Sequence, residues 1–427
     1  MAIMLTTGGE ATGKGFYEGR RPYIIELQEK VNNSKENLIL ILGARRIGKT
    51  SIVKQYFLER NDDYQDPGVY IYIYIPKIES LADFYQKAIE EIEKALKENS
   101  GRKKFQRLLA GSTLKKAINA VQDKIGKVSI SHFGIEFKDA DEKKRYLSLI
   151  SSFQTEFVGL IKAFEANRVV LGFDEVPEAI QCLIKNPGGK EEVDRWLEHF
   201  REMRHAGGLE DVLKLILFGS VNMKLTLERL GQSKLVNDNF NVTVGPLDQA
   251  QSKELFWDLV DTLKLKVLQD HKDQVNSFID KMFTSSSPWA IQNFLDKFRS
   301  PTGAANEKSL TESLQKAYLD LFDIIGGVRY VSERLERYYD KDEEAVIKSL
   351  LKYIAKRQVD DLAQAVSDHE LFDFAKKSLK VERERFSNLV DILLLDNMVF
   401  REGTGYTIKN TVEKNFWYHR LVDSCKF

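Results

Sequence analysis

The feature that most constrains this chain is the run Leu38 to Phe57, in which five apolar residues lead into Gly43-Ala44-Arg45-Arg46-Ile47-Gly48-Lys49-Thr50 and then into a helical pattern. That order reads as strand, GxxxxGK[ST] loop, helix. A nucleotide phosphate needs backbone N–H groups that converge on it from the start of a helix, and this context supplies them. Gly43 and Gly48 permit backbone angles and a close approach that a Cβ would block. Lys49 places a point charge for the β and γ phosphates, and the Thr50 hydroxyl is a ligand for Mg²⁺. The stretch Gly8 to Gly15 also matches GxxxxGK, but it ends in glycine where a hydroxyl is required. No apolar strand enters it and no amphipathic helix leaves it, so it reads as an N-terminal loop.

The strand and helix pattern continues beyond the loop. Val69 to Ile75 alternates β-branched and tyrosine residues between Pro67-Gly68 and Pro76, as a buried strand does. Further strands are expected at Arg168–Asp174, Val212–Phe218 and Asn241–Leu247, with helices at Tyr85–Asn99, Arg145–Ala166 and Lys190–Arg204. Strands that alternate with helices argue for a parallel sheet covered on both faces. Between the helices Tyr85–Asn99 and Arg145–Ala166 lies a charged insertion, about residues 100–144, in which Val128 to Phe137 reads as a small hairpin. From Gln249 onward the periodicity is mostly helical, with a long helix expected over Thr311–Tyr339, interrupted near Gly326-Gly327. Helices at Glu343–Arg357, Asp368–Lys377 and Glu382–Asn397 then precede a Gly403-Thr404-Gly405 turn, the pattern of a winged helix. The expected organisation is an ATPase core at 1–247, a helical lid region at 248–340 and a winged-helix domain at 341–427.

The Val169-Val170-Leu171 run ends in Asp174-Glu175, which supplies the second half of a nucleotide site. Asp174 is a candidate for the Mg²⁺ shell, and Glu175 for orienting and deprotonating the attacking water. Gly172 is an odd residue inside such a strand. The next strand ends Phe218-Gly219-Ser220, where Ser220 or Asn222 is placed to sense the γ phosphate; the alternative is that Gly219-Ser220 only terminates a strand. Arg201, Arg204 and Arg229 are the candidates for an arginine finger, against the simpler reading that helical arginines pack by their stems.

These residues resemble the archaeal-type P-loop ATPases of the STAND and AAA+ branch, over about residues 16 to 300 and again at the C-terminus. Phe16-Tyr17-Glu18-Gly19-Arg20-Arg21 is similar to that family's FxGRexEl element, with Arg21 where an acidic residue is usual. Gly43 through Ser51 is similar to its GxRRxGKTSL loop, and Leu217 to Ser220 to its strand ending in Gly-Ser. Ser286-Ser287-Pro288 is similar to its GxP element, with Ser286 in place of glycine. The resemblance implies ATP and Mg²⁺ as cofactors, Arg20 and Pro288 beside the base, and nucleotide-dependent changes in orientation or assembly. No NKxD guanine-reading motif is apparent, so ATP is preferred to GTP.

Composition narrows the partners. The chain has 64 basic and 64 acidic residues, so no global field draws it to nucleic acid or anionic lipid. Residues 341–427 hold fifteen basic and fifteen acidic side chains, without the footprint expected of a DNA reader. DNA is therefore not favoured, and a protein partner of unknown identity is. Two cysteines make no disulfide framework, and no apolar run approaches the roughly 20 residues of a membrane span, so a cytoplasmic protein is expected. Three functional classes remain: an ATP-hydrolysing switch of the STAND type, a DNA-binding regulator or loader controlled by ATP, and a nucleotide-binding scaffold with negligible turnover.

Overall fold

Five strands form one parallel sheet in the order β2-β3-β4-β1-β5: Leu38–Leu42 (β1), Gly68–Tyr74 (β2), Arg168–Asp174 (β3), Leu213–Leu217 (β4) and Asn239–Thr243 (β5). The computed structural model describes residues 11–33, 37–63, 65–75, 77–98, 140–164, 166–205, 209–219, 223–231, 239–298, 307–323, 335–336 and 339–424. The expected hairpin at Val128–Phe137 lies outside them, as do Ser220 and Asn222. The chain divides into two compact units, one of residues 20–45 and 49–244, the other of residues 1–19, 46–48 and 245–427.

In the first unit β4 separates β1 from β3, pairing with each in parallel register. The strands are near-continuous apolar runs because both faces of the sheet are covered. On one face lie Arg21–Asn33 (α1) and Lys49–Asp62 (α2). The other carries Leu81–Glu98 (α3), Ala140–Lys162 (α4), Val176–Ile184 (α5) and Gly189–His205 (α6), whose apolar faces join one core with β2, β3 and β4. Phe84, Phe173, Trp196 and Phe200 pack ring against ring there, mostly tilted, with Trp196 and Phe200 edge to face and the Phe84 and Trp196 ring centroids 4.4 Å apart. Truncating the fully buried Trp196 in such a cluster costs about 3–5 kcal/mol.

Gly172, anomalous in the sequence, has a packing cause. A Cβ there would come within 2.8 Å of the Phe57 ring and 3.4 Å of Val53, so the missing side chain lets α2 lie directly on β3. Arg21, the departure from the family element, opens α1 and forms an ion pair with Glu59 of α2, Nη1 to Oε1 2.5 Å. Two helices were not anticipated: α5 and the seven-residue Met223–Arg229 (α7). Both are too short for a 3.6-residue period to stand out. The last strand begins two residues earlier than expected and stops at Thr243, and Leu247 instead forms an isolated antiparallel bridge with Ser286.

The second unit is helical, apart from a small sheet. Gln249–Leu263 (α8) starts with a capping box, in which Asp248 accepts from the Gln251 N–H and the Gln251 side chain accepts from the Asp248 N–H. Lys266–Asp270 (α9), Lys272–Met282 (α10), Pro288–Phe298 (α11) and Glu307–Asp323 (α12) follow, around Phe256, Phe283, Phe294 and Tyr318. Lys341–Asp360 (α13), Val366–Ser367 (β6), Asp368–Leu379 (α14), Arg383–Leu395 (α15), Phe400–Glu402 (β7) and Gly405–Thr407 (β8) then make a winged helix, with sheet order β6-β8-β7. The aromatic C-terminal stretch is part of one more helix, Thr411–Ser424 (α16), which packs along α13.

Candidate functional site

The loop after β1 has the backbone its sequence demands. Gly43 and Gly48 have φ of 140° and 104°, which side-chain-bearing residues rarely adopt, and Arg46 takes the left-handed region at φ 61°. Lys49 is the first residue of α2 and 6% exposed; its ammonium donates to the Gly43 carbonyl at 2.7 Å and the Ala44 carbonyl at 2.8 Å. Ile47 is buried and anchors the loop, while Gly43, Ala44, Arg45, Arg46, Gly48, Thr50 and Ser51 are half-buried.

Thr50 donates its hydroxyl to Asp174 Oδ2 at 2.8 Å, across a sequence separation of 124 residues. This bond ties the start of α2 to the end of β3. Asp174 is 3% exposed and accepts two further bonds, from the Tyr72 hydroxyl to Oδ2 at 2.8 Å and from the Glu175 N–H to Oδ1 at 2.9 Å. Burial, and then the neighbouring Glu175 charge, push its carboxyl up to about 6, against the pull of those three donors. A threonine hydroxyl and a carboxylate on adjoining elements are hard oxygen donors, the set that suits Mg²⁺ with its remaining positions filled by water and phosphate.

Glu175 turns the chain between β3 and α5 in the left-handed region, at φ 63° and ψ 25°. That conformation costs a non-glycine residue about 1 kcal/mol. Its surroundings hold it there: the Val176 N–H donates to the Phe218 carbonyl, and the Ala179 N–H to the Glu175 carbonyl. Gly219 is the third part of this turn. A Cβ on it would lie 2.7 Å from Pro177 Cδ and 3.1 Å from Glu175 Cα, so β4 ends against the backbone of the acidic turn only because residue 219 has no side chain. Sequence reading took this glycine for part of a strand terminus.

The other predicted residues fall as follows. Arg20 closes a short 3-10 helix, Glu18–Arg20, is 3% exposed, and has its guanidinium 5.6 Å from the Tyr23 ring centroid. Gly19 lies against the Tyr17 ring, which leaves no room for a Cβ, and Tyr17 donates to Glu254 Oε2 at 2.7 Å. Pro288 is the first residue of α11, where its missing N–H costs nothing. Ser286, in the place of the family's glycine, is fully buried and does not take a positive φ, so the position tolerates a side chain. Trp289, next to Pro288, has the Arg46 guanidinium 4.3 Å above its ring, and both residues belong to the second unit. Of the arginine-finger candidates, Arg204 is 1% exposed with Nε donating to the Phe200 carbonyl, a core role; Arg201 is exposed. Among the described residues no group of three or more His, Cys, Asp or Glu side chains could hold a metal by itself, and no helix is long and apolar enough to cross a membrane.

A parallel sheet with GxxxxGKT after β1, an acidic pair at the end of β3 and β4 between those two strands is the P-loop nucleoside-triphosphatase fold. No family model matches the chain, and no curated protein does. Among solved structures it is similar to the Walker-type ATPase paby2304 of Pyrococcus abyssi, with 18% identity, 97% of this chain and 99% of that chain covered, and a TM-score of 0.55. Looser likenesses reach the ORC2 protein of Aeropyrum pernix, at 10% identity over 95% and 94% of the two chains with TM-score 0.47. They also reach a STAND protein with a tetratricopeptide repeat sensor from Pyrococcus horikoshii, at 11% identity over 92% of this chain and 41% of that one with TM-score 0.32.

Proposed function

We propose that this chain binds ATP with Mg²⁺ on the loop Gly43–Ser51 and hydrolyses it, and that nucleotide state switches its helical and winged-helix part. The observation that carries the reading is the Thr50–Asp174 hydrogen bond, which joins phosphate-loop helix and acidic strand in the arrangement a metal–triphosphate needs. The similarity to a Walker-type ATPase over nearly the whole of both chains supports it. Lys49 leaves the Gly43 and Ala44 carbonyls for the β and γ phosphates, to which the loop N–H groups also donate. Thr50 and Asp174 would hold Mg²⁺, which would supply charge neutralisation at the phosphates. Glu175 orients the attacking water and takes its proton. Ser220 and Pro288 remain candidates for the γ phosphate and the base.

The switch reading draws on a latch in the second unit. The Thr411 N–H donates to the Ser285 carbonyl at 2.7 Å, and the Ser285 N–H to Thr411 Oγ1 at 3.1 Å, so the first residue of α16 is clipped to the segment that leads into Pro288. Movement of that segment on nucleotide exchange is then carried to the helix packed along α13. Phosphate release by wild type, Glu175→Gln and Lys49→Ala, with and without duplex DNA, tests both parts, alongside sizing in ATP and ADP. Turnover that falls about 10²-fold or more in Glu175→Gln with ATP still bound, and is lost in Lys49→Ala, is expected. Normal hydrolysis by either variant overturns the site. Turnover stimulated by DNA replaces the switch with the loader reading.

A further inference from the structure

We infer that Tyr72 is a positioning residue for the metal: its hydroxyl fixes the Asp174 carboxylate in the orientation that Thr50 shares. This rests on the nucleotide site proposed above. The Tyr-Ile-Tyr-Ile-Tyr alternation of β2 puts Tyr70, Tyr72 and Tyr74 on one face of the sheet's edge strand. They have different roles. Tyr70 donates to Asp66 at the start of the strand, and Tyr74 is 45% exposed. Tyr72 pairs in register with Gly172, two residues before Asp174, and its hydroxyl reaches over to Asp174 Oδ2 at 2.8 Å, the oxygen that also accepts from Thr50.

The ring has somewhere else to go. Beside it opens a cavity of about 290 Å³ whose walls include Lys54, Asn61, Tyr70, Glu91 and Lys94. Tyr72 is half-buried and itself lines this space, yet its hydroxyl donates to a carboxylate. Lys54, one turn beyond Thr50 on α2, caps the ring with its ammonium 4.1 Å from the centroid. Thr50 and Lys54 thus come from one helix face and enclose Tyr72 and Asp174 from β2 and β3. Groups that orient a ligating carboxylate in this way govern metal affinity, and their loss costs about 10–100-fold.

Tyr72→Phe keeps the ring and removes only the hydroxyl. With the full chain held in saturating ADP, Mg²⁺ is titrated and binding followed by the thermal shift of the ADP complex. The expected result is a Mg²⁺ half-saturation raised about tenfold or more in Tyr72→Phe, with ADP affinity in EDTA unchanged and turnover recovered at saturating Mg²⁺. An unchanged half-saturation overturns the role of Tyr72 while leaving the nucleotide site intact. Equal loss of ADP affinity in EDTA also overturns it, because the defect is then general. If wild-type ADP binding does not respond to Mg²⁺ at all, the site reading fails and the inference with it.

Discussion

Asp174 at the end of β3 and Arg383 at the head of α15 are both charged residues at the functional ends of their elements, yet the fold treats them in opposite ways. Asp174 is 3% exposed and its partners are two hydroxyls and a backbone N–H. Arg383, placed where a winged helix would meet a DNA groove, has a side chain 53% exposed that is paired with Asp368, Nη2 to Oδ2 2.5 Å, and lies over the Phe372 and Phe386 rings. The carboxylate's hydrogen-bond partners are neutral donors, at the place proposed above for a metal. The arginine has found its counter-charge inside the same domain. Burial with neutral donors leaves a site prepared for an incoming charge; exposure with a matched partner leaves a surface that does not ask for one.

The sharpest way to break this contrast is to neutralise the buried carboxylate. A group whose folded pKa is about 6 and whose ordinary value is 3.8 binds more protons in the native state between those values, so it lowers stability as pH rises from about 4 through 6. At pH 7 the penalty is on the order of 3 kcal/mol. Asp174→Asn keeps acceptors and donors for Thr50, Tyr72 and the Glu175 N–H. It is expected to melt about 5–10 °C above wild type at pH 7 without nucleotide. The gap should close near pH 4, and Mg²⁺-dependent nucleotide binding should be lost. A variant that melts lower than wild type at pH 7 would mean that the carboxylate is already compensated, and the contrast with Arg383 would fall.

A smaller effect is expected at the turn that Gly219 permits. Gly219→Ala drives a methyl group into Pro177 and the Glu175 backbone, displacing the proposed base without touching the phosphate loop. Turnover should fall about tenfold or more, since misplacement of a catalytic group by an ångström costs up to 10²-fold, while ATP affinity stays near wild type. Equal turnover in a steady-state phosphate assay would show that the contact with Glu175 does not position it.

The smallest effect belongs to the exposed arginine. Arg383→Ala removes a solvated ion pair and a ring contact worth about 1 kcal/mol together. A melting-temperature shift of no more than about 4 °C, with ATP turnover unchanged and no change in duplex DNA affinity, is the outcome consistent with an arginine satisfied within its own domain. A marked loss of DNA affinity in a salt-controlled titration would instead assign α15 to the groove.

The phosphate loop, the strands and the change to helical periodicity after Gln249 were legible because each depends on residues close in sequence. GxxxxGK[ST] carries its geometry within eight residues, and the alternation of β2 or the apolar run of β1 needs no partner to be recognised. Helices α5 and α7 were missed because seven to nine residues hold too few turns. The segment after Thr243 was misread as strand because Leu247 is apolar for a different reason: its bridge to Ser286.

By itself the sequence determined which residues could carry phosphate and metal chemistry, since glycine torsions, a lysine charge, a threonine hydroxyl and a strand-terminal carboxylate are local properties. Only the tertiary structure decided what those residues touch. It brought Thr50 to Asp174 across 124 positions, set Tyr72 on the same carboxylate oxygen, and placed β4 between β1 and β3. It also gave Gly172 and Gly219 their reasons, the Phe57 ring and the Glu175 turn. Such contacts depend on strand order and on helices packed over the sheet. Those arise from burying apolar surface over the whole unit, to which no single segment of sequence points.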